Sequence, residues 1–147
     1  MLAGAERDRL LGTMAQLYTE LDHQGTVQGS VAVRAAADSL GRGAFAGMLE
    51  EEEEELVASI NAALARLVDA VAGGHPERVV PLPSAIIGAL GGAELVMRAE
   101  IMAGRGERLA SLLPGFVFVV TIPFAGEEEA LRLSRRTGEL LDGSGRT

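Results

Sequence analysis

The chain has 147 residues, 48% of them hydrophobic, a size that suits one domain with a sizeable core. Its formal net charge of −8 disfavours a nucleic-acid-binding surface, because such surfaces need clustered basic side chains. The absence of cysteine excludes a disulfide framework, a thiolate nucleophile and a cysteine-based zinc site. From the length and the charge we expect a single domain over residues 1–147 that binds DNA poorly by itself.

The spacing of apolar residues predicts helices in the first half of the chain. Apolar residues recur at three- and four-residue spacing near the start, and Gly25 marks the end of that helix. This first stripe consists of Leu10, Leu11, Met14, Leu17, Tyr18 and Leu21. Residues 27–40 and 45–49 predict two short helices separated by Gly41-Arg42-Gly43.

The clearest amphipathic helix follows a run of glutamates. Residues 52–55 lie in its first turns, where negative charge complements the helix dipole. Gly73-Gly74-His75-Pro76 ends it. Its apolar stripe consists of Leu56, Val57, Ile60, Leu64, Leu67, Val68 and Val71.

The second half contains two strongly apolar segments. Ser84 is a candidate N-cap for a helix to about Ala103 with small residues at Ala85, Gly88, Ala89, Gly92 and Ala93. Glycine costs about 1 kcal/mol relative to alanine inside a helix, so these glycines predict a close approach by another backbone.

The other apolar segment covers residues 109–124, with Pro114 predicted in the first helical turn. Residues 116–122 are rich in β-branched and aromatic side chains and have strand propensity. No second run of this kind is available to pair with them, so we predict a helix. An amphipathic helix over residues 127–141, ended by Gly143, completes an all-α bundle of about six helices.

Several motifs of the second half carry a resemblance to a known family. They are Gly91-Gly92-Ala93-Glu94-Leu95-Val96-Met97-Arg98, Gly104-Arg105-Gly106-Glu107-Arg108-Leu109, Leu112-Leu113-Pro114 and Pro123-Phe124-Ala125-Gly126-Glu127-Glu128-Glu129-Ala130. In this order and spacing the segment resembles the last two core helices of the C-terminal domain of TetR-family transcriptional regulators. Earlier helices fit the family's ligand-binding region without a distinctive motif.

The resemblance implies a homodimer formed through a four-helix bundle, with two helices from each subunit. The interface residues it implies are Ala85, Gly88, Gly92, Val96, Phe116, Val120 and Phe124. It also implies a site for a small hydrophobic effector between the earlier helices. The large, adaptable side chains of those segments are Met14, Tyr18, Phe45 and Met48, which either line a pocket or belong to the core.

The DNA-reading half of such a regulator is not recognised in this sequence. Residues 25–49 imitate a helix-turn-helix, but Arg34 occupies a core aliphatic position, Asp38-Ser39 replaces the Ala-Gly of the turn, and Ala46 replaces an aromatic residue. We therefore expect DNA contact only through a separate N-terminal domain. A purely structural or protein-binding helical dimer is the alternative function.

No catalytic, metal or cofactor motif is apparent. Residues 50–55 are six consecutive carboxylates, but one helical stripe collects only two of them, which favours a solvated helix start. His23 and His75 have no metal-ligand spacing. We predict no enzyme activity, no metal site and no cofactor.

The N-terminus has no apolar signal core, which favours a cytoplasmic location. Residues 79–96 and 109–125 are apolar but interrupted by prolines, and they fall short of the ~20 residues that a membrane-spanning helix needs. We predict no membrane insertion.

Overall fold

The computed structural model describes residues 4–22, 49–73 and 83–144, and these form five α-helices and one short 3₁₀ helix, without a strand. The prediction of an all-α bundle is confirmed. Residues 27–48, which hold Phe45, Met48 and all but the last position of the two short predicted helices, lie outside the described residues.

Helices α1 (Gly4–Asp22) and α2 (Glu51–Gly73) form where the apolar stripes predicted them. In α1, Leu10, Met14 and Leu17 are buried, and every member of the predicted α2 stripe is buried as well. Four glutamates occupy the first turn of α2, where the unpaired amides of a helix start favour negative charge. These two stripes pack on each other and supply one side of the core.

Helix α3 (Pro83–Met102) is followed by a turn at Gly104, whose positive φ of 77° is accessible to glycine at little cost. A 3₁₀ helix (Gly106–Arg108) then leads directly into α4 (Leu109–Ala125). Residues 116–122 are helical, as predicted. The prediction that Pro114 lies in the first turn is wrong, because α4 begins five residues before it.

Helix α5 (Glu127–Ser144) follows α4 after Gly126, and the two helices pack along each other. Helix α1 holds the far end of α5. Arg9 donates two hydrogen bonds, of 3.2 and 2.9 Å, to the carbonyl oxygen of Leu141. Helix α4 contacts each of the other four helices that the described residues form, so the most apolar segment of the sequence lies at the centre of this part of the bundle.

Candidate functional site

A groove of about 310 Å³ lies between α1 and α2. Only one of the residues that line it carries a charge, namely Arg66. Small residues on α2 leave the space open, while larger apolar side chains form the α1 wall. The lining consists of Leu11, Met14, Ala15 and Tyr18 from α1 and of Ser59, Ala62, Ala63 and Arg66 from α2. Its volume is at the lower end of the range for small-molecule sites.

Two of the four sequence-predicted ligand residues line this groove. Met14 is 1% exposed and also belongs to the hydrophobic core, so it forms the floor of the groove. Tyr18 is half-buried, and its ring lies beneath the guanidinium of Arg66, 4.2 Å from the ring centroid. This distance gives a cation–π contact that orients the arginine across the groove.

Arg66 was not singled out by the sequence analysis. It is an exposed residue, and no ion pair to a carboxylate forms at it within the described ranges. Its contact with Tyr18 joins two helices, and the two residues are far apart in the sequence. No short-range spacing pattern therefore predicts this contact.

A second cluster joins α2 to α3. Arg98 donates hydrogen bonds of 2.7 and 2.9 Å to the two carboxylate oxygens of Glu54, and one of 3.1 Å to Glu94 on its own helix. Glu54 also accepts the backbone N–H of Leu49 at 2.9 Å. Both Glu94 and Arg98 are only 7% exposed. The expectation that the glutamate run is simply solvated is therefore wrong for Glu54.

The arrangement fixes the charge state of the arginine. Hydrogen bonding to Glu54, and then to Glu94, raises the pKa of Arg98 above its ordinary value, although burial opposes the shift. Arg98 stays positively charged at any accessible pH. Because charge-assisted paired bonds of this kind are directional, the cluster sets the rotation of α3 against α2.

The rotation of α3 leaves apolar residues on its outside. Leu95 is 52% exposed and Met102 is 58% exposed, while the charged Glu94 and Arg98 face inward. The exposed residues of α3 that carry no charge include Gly88, Gly92, Leu95, Val96, Ala99 and Met102. Three predicted interface residues, Gly88, Gly92 and Val96, thus lie on the exposed side, whereas the side chain of Ala85 lies outside the described set.

Helix α4 adds exposed apolar residues but not the predicted ones. Phe116, Val120 and Phe124 are buried within the subunit, where they pack into its core. The exposed positions without a polar side chain are instead Gly115, Val119 and Pro123, with Val119 at 51% exposure. We call these three residues, with the six exposed α3 residues given above, the outer face.

The glycines of the outer face make no close packing contact with the described part of the subunit. A Cβ added at Gly88, Gly92 or Gly115 would meet no packed atom within 4 Å in the described part of the chain. Helical glycine costs about 1 kcal/mol relative to alanine, and no contact among the described residues offsets that cost. The outer face is consequently smooth as well as apolar.

Within the described residues, no group of three or more His, Cys, Asp or Glu side chains is arranged to hold a metal ion. His23 and His75 lie outside those residues.

One helical stretch in the described part, Gly106–Ala125, is long and apolar enough to cross a membrane, and 50% of its most apolar window is buried inside the subunit. The 3₁₀ helix, which carries Glu107 and Arg108, supplies the length beyond the 17 residues of α4. A buried core helix satisfies the same criteria of length and composition.

Comparisons with known proteins add no assignment. No family model, no curated protein and no solved structure matches the chain.

Proposed function

We propose that this chain is the effector-binding and dimerisation domain of a TetR-like cytoplasmic transcriptional regulator, and that two subunits associate through their outer faces. In this proposal α3 and α4 of each subunit form a four-helix bundle with those of the partner. DNA contact would belong to a separate helix-turn-helix domain, since the acidic chain has a net charge of −8.

The observation that carries the proposal is that the exposed side of α3 is apolar, while two of its charged residues lie on the buried side with its apolar stripe. A helix on the surface of a lone subunit normally turns its charges to water and its apolar stripe to the core. Here Glu94 and Arg98 are buried, and Leu95, Val96 and Met102 are exposed. A second copy of the same chain is the simplest cover, because a two-fold axis lets one apolar surface cover its twin.

A connection between groove and outer face is built into α2. This helix carries Arg66 in the groove and Glu54 in the contact with Arg98 of α3. The two residues are twelve positions apart in the helix, a distance along its axis of about 18 Å. A ligand that binds more tightly when α2 is in one of two positions would favour that position. Through the contact between Glu54 and Arg98, α3 would move with α2, and the spacing of the two subunits would change.

Sedimentation velocity of the wild-type chain and two matched variants tests the dimer. Gly92→Leu places a bulky side chain on the outer face, and Gly12→Leu places the same side chain on the exposed, equally open position in α1. We expect a wild-type dimer at micromolar concentration, an unchanged dimer for Gly12→Leu, and dissociation for Gly92→Leu.

Three results would contradict this proposal. They are a monomeric wild-type chain, a dimer that Gly92→Leu leaves intact, and a chain that sediments with lipid vesicles instead of with itself. Circular dichroism of Gly92→Leu separates dissociation from unfolding, because a folded monomer retains its helical signal.

Effector binding is tested separately by thermal shift with a panel of small hydrophobic molecules. A ligand specific for the folded state stabilises it by mass action, by about 2.7 kcal/mol at one hundred times its Kd. A dimer that no member of the panel stabilises would favour the alternative, a structural or protein-binding helical dimer.

A further inference from the structure

We infer that the groove between α1 and α2 binds an amphipathic carboxylic acid, with its carboxylate on Arg66 and its apolar body along the α1 wall. This inference rests on the proposed effector site and names the chemical class of its ligand. It requires a cation that is oriented, available to an anion and placed at the edge of an apolar surface.

Arg66 satisfies the first two conditions. Its guanidinium lies over the Tyr18 ring at 4.2 Å, so its plane is oriented before any ligand arrives. Two other arginines that bridge helices, Arg98 and Arg136, have their N–H groups directed to glutamates, and Arg9 donates to a backbone carbonyl of α5. Arg66 forms no such ion pair within the described ranges, and its N–H groups remain available.

The rest of the groove satisfies the third condition. Leu11, Met14 and Ala15 on one side and Ala62 and Ala63 on the other offer a surface without charge. Methionine adapts to ligands of varied shape, and the alanines leave room for an extended chain. A neutral apolar ligand would fit this surface but would leave the arginine unused.

One guanidinium matches one carboxylate in both charge and geometry. Its planar N–H groups bind a carboxylate through two parallel hydrogen bonds. A phosphate monoester carries more charge, and sites for it usually add the amides of a helix N-terminus. The groove is lined by the middle turns of α1 and α2, so it offers no such amides. The chemistry therefore favours a carboxylate.

Isothermal titration of the full chain with decanoic acid and with 1-decanol tests the inference. These probes share a ten-carbon chain and differ in the headgroup. We expect wild-type protein to bind the acid more tightly than the alcohol. Arg66→Gln should weaken binding of the acid about fivefold and leave the alcohol unchanged, because an exposed ion pair contributes modestly.

Two further variants complete the design. Arg135→Gln removes an exposed arginine of α5 outside the groove and should leave binding of the acid unchanged. Ala62→Trp fills the groove from an exposed lining position and should abolish binding of both probes.

The outcomes separate the inference from the proposal on which it rests. Equal binding of acid and alcohol, with no effect of Arg66→Gln, overturns the carboxylate inference but retains a hydrophobic effector site. If the Ala62→Trp variant still binds the acid, the groove is not the place where the acid binds, and the inference is overturned. Failure of both probes to bind the wild-type chain contradicts the groove as a site for either ligand, while the dimer is judged independently by sedimentation.

Discussion

Arg98 and Arg136 make nearly the same contacts in different surroundings. Arg98 binds both carboxylate oxygens of Glu54 across a helix interface and also bonds to Glu94 on its own helix. Arg136 binds both carboxylate oxygens of Glu20 across another interface and also bonds to Glu139 on its own helix. The bonds across the interfaces are 2.7 to 2.9 Å in both clusters.

Burial separates the two clusters. The Arg98 side chain is 8% exposed and that of Arg136 is 39% exposed. Water screens the Arg136 cluster and competes for its hydrogen bonds, so it contributes little to stability. The Arg98 cluster has lost most of its hydration, and each of its charges depends on the others. The two clusters have similar geometry, but the buried Arg98 cluster fixes the orientation of α3, whereas the exposed Arg136 cluster only links α1 to α5.

The largest expected effect follows from Arg98→Ala. This change leaves Glu94 buried without its cation, and we expect the free energy of unfolding to fall by about 3 kcal/mol. Urea denaturation at a fixed protein concentration measures it. Arg136→Ala is the matched control, and equal destabilisation by the two variants would contradict the comparison.

The second prediction tests the cause of that loss. Adding Glu94→Gln to Arg98→Ala removes the stranded charge while keeping nearly the same side-chain shape. The double variant should recover about 1–2 kcal/mol relative to Arg98→Ala alone. A double variant that is less stable than the single one would show that the cost has another origin, such as lost packing of the arginine stem.

A smaller effect is expected for Arg136→Ala itself. Because the cluster is exposed, the unfolding midpoint should fall by no more than about 2 °C. Differential scanning calorimetry measures the shift. A fall comparable to that of Arg98→Ala would mean that the link between α1 and α5 is more important than its exposure indicates.

The smallest effect is a pH dependence of the Arg136 cluster. The hydrogen bond from Arg136 lowers the pKa of Glu20 below its ordinary value of 4.5. A lowered pKa in the folded state means that the contribution is present above the unfolded pKa and is lost as pH falls through the folded pKa. The midpoints of wild type and Arg136→Ala should therefore converge over the acidic range below about pH 4.5. A constant gap across that range would contradict the assignment to Glu20.

Much of the fold was predictable because α1, α2 and α5 have clear apolar stripes. The stripe of α2 from Leu56 to Val71 identifies its buried side without reference to any other helix. Helix α4 has no such contrast, since residues 109–125 contain no ionisable side chain. The sequence therefore could not tell that Phe116 and Val120 face inward while Val119 faces outward.

The candidate site was less predictable, because it depends on contacts between distant segments. The spacing of Glu94 and Arg98 is a local signal for an ion pair on one helix. Their burial depends on Glu54, which is 44 residues away from Arg98. The large side chains of Met14 and Tyr18 predict ligand-binding residues, and both line the groove. Arg66 is identified as a candidate binding residue only by its contact with the Tyr18 ring in the structure.

The contact between Arg9 and the Leu141 carbonyl brings the start of α1 close to the end of α5. A short flexible linker could accordingly join the two ends and give a circular permutant with the same packing. The exposed turn at Gly104, between α3 and the 3₁₀ helix, offers a position for the new termini. In that rearranged chain, α4 and α5 would be synthesised before α1, so the order of assembly could be changed without altering the bundle.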